Sequence, residues 1–215
     1  MSEVKVKICG ITREEDLKAA CHLGADMVGF VVGVPYSPRN LSLERAEQLI
    51  RLVPAHVKSV LVTVPQSLSQ LAEIYTRLKP DIVQIHGNNL GDYDLLRRTF
   101  PEAFLVRALA VDSNVIAKVL EALSFFDAFH ADTYHAWRHG GTGIVHDWSL
   151  SRRLRDTIYP KPLILAGGLN PWNVKEAIKA VKPYAVDVST GVESEPGVKD
   201  HMLMEAFIKN AKEAY

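Results

Sequence analysis

The sequence predicts an α/β fold, a closed (βα)8 barrel of the TIM type, formed as one domain over residues 1–215. Three observations predict it. Eight short β-branched runs alternate strictly with eight amphipathic stretches; the series opens with a strand and ends with a helix; and no Pro/Ser linker or low-complexity segment interrupts it. Alternation of this kind implies parallel strands joined by right-handed crossovers. Eight repeats favour closure, because closure removes both sheet edges. An open doubly wound sheet is the alternative with the same alternation. The barrel is lean, since about 250 residues is usual for the type.

The strand-like runs are VKVKIC from Val4, MVGFVV from Met27, VKSVLVTV from Val57, DIVQIHG from Asp81, AFLVRALAV from Ala103, FDAFHAD from Phe126, PLILAGG from Pro162 and YAVDVSTG from Tyr184. The intervening stretches carry apolar residues at helical spacing and begin near Arg13, Ser42, Ser67, Asp92, Ser113, Ser149, Asn173 and Asp200. Helix punctuation agrees. Thr12 precedes an acidic first turn, Ser42 precedes LERAEQLI, and Asn170-Pro171 reads as an N-cap followed by a first-turn proline. Gly24 follows the first helix as its C-terminal stop.

Strand residues alternate between two faces. Val4, Val6 and Ile8 share one face of the first strand and should meet the helices, which turns Lys7 and Cys9 inward. The fourth strand groups Ile82, Gln84 and His86; the sixth groups Ala128, His130 and Asp132; the eighth groups Ala185, Asp187 and Ser189. Cys9, His86, Asp132 and Asp187 thus fall at the C-terminal ends of four strands, the rim from which barrel enzymes draw their reactive groups. A lone strand cysteine is ordinarily a small hydrophobe, and a lone His or Asp at a strand end is ordinarily a turn residue. Convergence of four such groups is costly without a purpose. Cys21, beside Ala19 and Ala20, reads as a packing residue.

Lys plus Arg and Asp plus Glu both number 25, which gives no electrostatic reason to expect nucleic acid or an anionic membrane as partner. Neither of the two cysteines sits in a CxxC pair, so two reduced thiols and no zinc site are expected. The opening MSEVKVKICG has no apolar segment of the signal-peptide kind, and no run approaches the ~18 apolar residues of a membrane span. A cytoplasmic protein with neither nucleic acid nor membrane as partner is expected, and the sequence leaves monomer and homodimer open.

Glycine turns follow three late strands: Gly140-Gly141-Thr142-Gly143, Gly167-Gly168 and Thr190-Gly191. Glycines let backbone amides approach an anion, and barrels of this type commonly seat phosphate after strands seven and eight. Ser37-Pro38-Arg39 follows the second strand and offers a guanidinium suited to a carboxylate.

These motifs together resemble one family. KICGIT, SPR, VQIHG, the DT of the sixth strand, GGTG with DWSL, AGGLNP, and DVSTGVE with PGVKD are similar, in order from residue 7 to residue 200, to the phosphoribosylanthranilate isomerases of tryptophan synthesis. The resemblance implies an Amadori rearrangement of N-(5-phosphoribosyl)anthranilate to a carboxyphenylamino-deoxyribulose phosphate, without metal or cofactor. It implies Cys9 as general base, Asp132 as general acid and Arg39 as the carboxylate ligand. It implies phosphate binding around Gly141, Gly143, Gly167, Gly168, Thr190 and Gly191, with His86 and Asp187 lining the pocket. The chemistry suits these groups. Ring opening needs a carboxyl with a raised pKa, to which burial or the Asp187 charge would contribute; proton removal needs a thiolate, which Lys7 or a helix N-terminus would favour. The chain departs from the family pattern at Asn88-Asn89-Leu90-Gly91, at His130, in the loop Tyr134–His139 and at Ile144-Val145-His146. A metal-dependent sugar-phosphate epimerase on the same barrel would use His86 and His130 but leave Cys9 and Arg39 without roles. A non-catalytic phosphate-binding barrel would have no use for the Cys9/Asp132 pair.

Overall fold

β-Branched alternation produces the inner wall of the molecule. The computed structural model describes residues 3–133 and 146–214. Among them eight parallel strands appear: β1 (Lys5–Ile8), β2 (Met27–Val32), β3 (Lys58–Thr63), β4 (Ile82–Ile85), β5 (Phe104–Val111), β6 (Ala128–Thr133), β7 (Leu163–Leu165) and β8 (Ala185–Val188). Each is followed by a helix: α1 (Glu14–His22), α2 (Leu43–Ile50), α3 (Leu68–Leu78), α4 (Tyr93–Thr99), α5 (Val115–Ala122), α6 (Trp148–Ile158), α7 (Val174–Val181) and α8 (His201–Lys212). Neighbouring strands pair in sequence order from β2 to β8, and β1 pairs with both β2 and β8, which closes the barrel. The open sheet is thereby excluded. The two-residue strand Asn40–Leu41 pairs in parallel with the C-terminal end of β2, and Glu193–Glu195 forms a small antiparallel pair with Val198–Lys199.

Two apolar layers follow from the alternation. Val4, Val6 and Ile8 face outward into a shell with Phe30, Phe129, Leu154, Ile178 and Phe207. Each such fully buried side chain contributes about 1.5–3 kcal/mol of transfer free energy. Cys9, Met27, Val31, Val60, Val62, Val106, Ala128, Ile164 and Ala185 form a separate cluster inside the barrel. Lys7 is fully buried there as well.

Helix ends match the reading at several positions and depart at two. Ser42 accepts the backbone N–H of Arg45, and Gly24 follows α1 at φ +95°. The acidic first turn expected after Thr12 is present in Glu14, Glu15 and Asp16, but the Thr12 hydroxyl turns away from it and donates to the carbonyl of Gly197 at 2.5 Å. Asn170 caps a preceding turn, accepting the N–H groups of Trp172 and Asn173, and α7 begins only at Val174. Both differences have one cause: the local side-chain signal is read by the nearest available backbone group, which tertiary contacts decide. Among the described residues no helix is long and apolar enough to cross a membrane.

Candidate active site

The inward rows of the strands end at the C-terminal mouth in a cavity of about 660 Å3. Cys9, Arg39, His86, Asp132, Gly167, Gly168, Asp187, Thr190 and Gly191 all line it. Every expected site residue among the described ones is therefore brought to one cavity. Gly141 and Gly143 lie outside the described residues. Cys9 directly follows β1 and Asp132 lies on β6, with β8 and β7 between them on the shorter arc. The two are not diametrically opposite, but they approach the cavity from different sides.

A polar chain rooted at Lys7 forms the cavity floor. Lys7 donates to Asp187 Oδ2 at 3.0 Å and to Gln84 Oε1 at 2.9 Å. Gln84 then presents its amide nitrogen to His86 Nε2 at 2.8 Å. An amide nitrogen only donates, so His86 Nε2 accepts and the ring is neutral with its proton on Nδ1. Burial, with the charges of His130, Lys7 and Arg107, holds His86 down to about pKa 3. His130 Nε2 lies 2.7 Å from the same Asp187 oxygen, and its ring meets that of His86 edge-on at 5.7 Å.

These contacts divide the two carboxyls. Burial alone would raise Asp187, but the Lys7 ammonium and the His130 hydrogen bond hold it well below the usual carboxylate range. Burial raises Asp132, and the Asp187 charge pushes the same way; His130 and the Thr133 backbone N–H, at 2.7 Å from Oδ1, oppose it. One carboxyl is thus kept anionic and the other inclined to keep its proton. For Cys9 the direction differs from the sequence expectation. Burial pushes the thiol up, and the Asp187 charge adds to this, outweighing the Lys7 and Lys199 ammonium groups. Space for the sulfur comes from Gly29, where a Cβ would lie 2.9 Å from Cys9 Sγ and 3.2 Å from Lys7 Cε.

The turns after β7 and β8 pack on each other. Gly167 and Gly168 have φ of +83° and +68°, and a Cβ on Gly167 would meet Thr133 Oγ1 at 2.2 Å. A Cβ on Gly191 would meet the carbonyl oxygen of Leu169 at 2.0 Å. Neither position admits a side chain, so bare backbone lines this side of the cavity. Asn173 Nδ2 draws the Gly168 carbonyl toward α7 at 2.9 Å, and the Leu169 N–H across that peptide points the other way.

Arg39 enters from the loop after β2. It is held by Glu193 through Nε at 2.8 Å and Nη2 at 2.5 Å, and touches Thr190 Oγ1 at 3.2 Å. Sequence reasoning gave no role to Glu193, Lys199 or Gln84. The available signals were the DVSTGVE and PGVKD motifs for the first two and the inward alternation of β4 for the third. His146, one of the departures, bonds Thr133 Oγ1 at 3.0 Å and Ser151 Oγ at 2.5 Å.

Comparison with known proteins fits this geometry. Residues 6–210 match the family model described as N-(5'phosphoribosyl)anthranilate (PRA) isomerase. The chain belongs to the phosphoribosylanthranilate isomerase family. It is 41% identical over 212 residues to the N-(5'-phosphoribosyl)anthranilate isomerase of Haloferax volcanii, covering 98% of this chain and 94% of the relative. The phosphoribosyl anthranilate isomerase of Thermotoga maritima superposes with a TM-score of 0.87 at 38% identity, over 97% of this chain and 98% of the other. A phosphoribosyl anthranilate isomerase in complex with reduced 1-(o-carboxyphenylamino)-1-deoxyribulose 5-phosphate superposes at 0.83 with 37% identity, over 97% and 98% of the two chains. The barrel of this isomerase family member is thus that of its solved relatives.

Proposed function

We propose that this chain, acting in the cytoplasm, carries out the isomerisation for which its family is named, a step of tryptophan biosynthesis, with Cys9 as base and Asp132 as acid. The substrate is N-(5'-phosphoribosyl)anthranilate and the product 1-(2-carboxyphenylamino)-1-deoxyribulose 5-phosphate. The observation that carries the assignment is that a thiol and a carboxyl with a raised pKa open into one cavity, beside an arginine and two bare-backbone turns.

The steps balance as a proton transfer within the substrate. Asp132 gives its proton to the ring oxygen as the C1'–O4' bond breaks, leaving an iminium at C1'. The Cys9 thiolate takes the proton from C2', and that electron pair forms the C1'–C2' double bond while neutralising the iminium. The resulting enolamine tautomerises to the amino ketone. Arg39 binds the anthranilate carboxylate, and the backbone around Gly167, Gly168, Thr190 and Gly191 receives the phosphate, with Gly141 and Gly143 proposed to join it. His86 and Asp187 shape the floor. The test is consumption of phosphoribosylanthranilate followed by its fluorescence. Turnover that disappears in Cys9→Ala and in Asp132→Asn is expected; wild-type rates in either variant overturn the corresponding role.

A further inference from the structure

We propose that Glu193 is a positioning residue that fixes the guanidinium of Arg39 so that its outer edge receives the substrate carboxylate. The proposal rests on the reading of Arg39 given above and adds to it the residue that aims it.

An arginine presents two bidentate edges, one made by Nε with Nη2 and one by Nη1 with Nη2. Glu193 takes the first edge with both carboxylate oxygens. Nη2 spends its other hydrogen on Thr190 Oγ1, and Nη1 has no partner among the described residues. The Nη1 end is therefore what the cavity sees, with the Thr190 hydroxyl beside it as a further donor. Arg39 keeps 13% of its side-chain surface exposed, whereas Glu193 keeps 2%. Glu193 borders the same cavity, but both its oxygens are already engaged, Oε1 by Arg39 and Lys199 and Oε2 by Arg39, so it serves the arginine and leaves the ligand to Arg39.

Glu193 is itself over-determined. Lys199, its direct partner across the short antiparallel pair and fully buried, donates to Oε1 at 2.7 Å. The Lys199 backbone N–H is tied to Asp16 Oδ2 at 3.1 Å, and Thr12 holds the turn at Gly197. From the other side, Gly10 leaves a channel for the arginine stem: a Cβ there would lie 2.4 Å from Arg39 Cδ. Three elements far apart in sequence thus converge on the orientation of one side chain. Ordering a long side chain before a ligand arrives removes an entropic cost from binding.

The experiment compares full-length wild-type, Arg39→Ala, Glu193→Ala, Glu193→Gln and the Arg39→Ala/Glu193→Ala double variant on two substrates. These are phosphoribosylanthranilate and its carboxylate-free counterpart, phosphoribosylaniline. The ratio of the two kcat/KM values reports the carboxylate contribution and does not depend on how much of a preparation is folded. Glu193→Ala is expected to raise KM for the carboxylate substrate about 10–100-fold, to hold kcat within about threefold, and to pull the ratio toward unity. Glu193→Gln keeps the shape and one acceptor and is expected to fall between; it supplies the reading if Glu193→Ala does not fold. In the Arg39→Ala background the second change is expected to add nothing. A wild-type ratio in both Glu193 variants, or full additivity with Arg39→Ala, overturns the proposal while leaving the Arg39 reading intact. A wild-type ratio in Arg39→Ala itself overturns that reading and this inference with it.

Discussion

Lys7 and Asp187 are register partners on adjacent strands, and both point into the barrel, where they form an ion pair at 3.0 Å with neither side chain open to solvent by more than 6%. Burial by itself would lower Lys7, and the Asp187 carboxylate together with Cys9 more than restores it. The pair is therefore a structural commitment as well as a source of charge under the reacting groups. Removing one partner strands the other in a low-dielectric interior, so Lys7→Met and Asp187→Asn should each cost about 3–5 kcal/mol. The double variant should cost less than the sum of the two. Urea unfolding of the three proteins measures this; strict additivity would mean the pair is not coupled.

The base and the acid should separate from the scaffold. Cys9→Ala and Asp132→Asn are each expected to reduce kcat by about 10²–10⁴, the usual worth of a positioned acid or base. Far-UV circular dichroism and the unfolding midpoint should stay close to wild type for Cys9→Ala, because Cys9 sits at the edge of the inner cluster and makes no buried ion pair. Loss of folded protein with no loss of specific rate would contradict the roles.

Cys9 should alkylate slowly at neutral pH. Its thiol is pushed above the ordinary value by burial, so the reactive thiolate is a minor species. In a Cys21→Ala background, the rate with iodoacetamide should rise about tenfold per pH unit through pH 8 and continue rising past pH 9. A plateau below pH 8 would show that the cations beside the sulfur outweigh its burial. Bound substrate is expected to protect the thiol, since both occupy one cavity.

Gly10→Ala should behave as a lesion of Arg39. The position has φ +74°, and the new methyl would fall against the arginine stem. A left-handed backbone forced on alanine costs about 1–3 kcal/mol. Beyond that loss, KM should rise by about tenfold or more with a smaller change in kcat, as expected when a ground-state contact is displaced. Steady-state kinetics on the folded fraction decides it; an unchanged KM would mean the arginine finds another path.

Acid should destabilise the fold through two histidines. His86 is held down to about pKa 3 and His146 to about 4, both chiefly by burial. Their ordinary value in the unfolded chain is about 6.5. Between about pH 4 and 6.5 the unfolded state binds these protons and the folded state does not, so stability falls as pH falls. The slope is about 1.4 kcal/mol per pH unit for each histidine where both effects are complete. His86→Asn should flatten the acid limb by about one proton relative to wild type. Urea midpoints at pH 7 and pH 5 are the measurement, and an unchanged slope in the variant would contradict the neutral assignment of His86.

Most of the barrel is legible in the chain because period two and period 3.6 alternate without interruption, and because inward and outward faces follow from a single parity in each strand. That parity turns Cys9, His86, Asp132 and Asp187 to the inner face, where all four line one cavity. It is silent about which neighbour each group meets. Lys7 beside Cys9 in sequence suggests a lowered thiol pKa, yet the burial of Cys9 and the Asp187 carboxylate reverse the direction. Gln84 reads as one polar residue in a strand, and only the closed ring sets it between Lys7 and His86. Glu193 and Lys199 lie on either side of Pro196-Gly197, in a polar stretch to which strand alternation assigns nothing. Their pairing depends on a two-strand fold-back carrying a register shift, a detail that periodicity does not encode. Thr12 illustrates the same limit, since a capping residue is also a good tether for a distant carbonyl.

The Arg39–Glu193 contact joins positions 154 residues apart. A chain emerging from the ribosome therefore exposes the arginine long before the carboxylate that steadies it has been synthesised. On the proposed reading of Arg39, ligand recognition at this end of the molecule waits for the segment that carries Glu193 and Lys199, and a nascent chain that has not reached it holds Cys9 and Asp132 yet lacks the grip on the carboxylate.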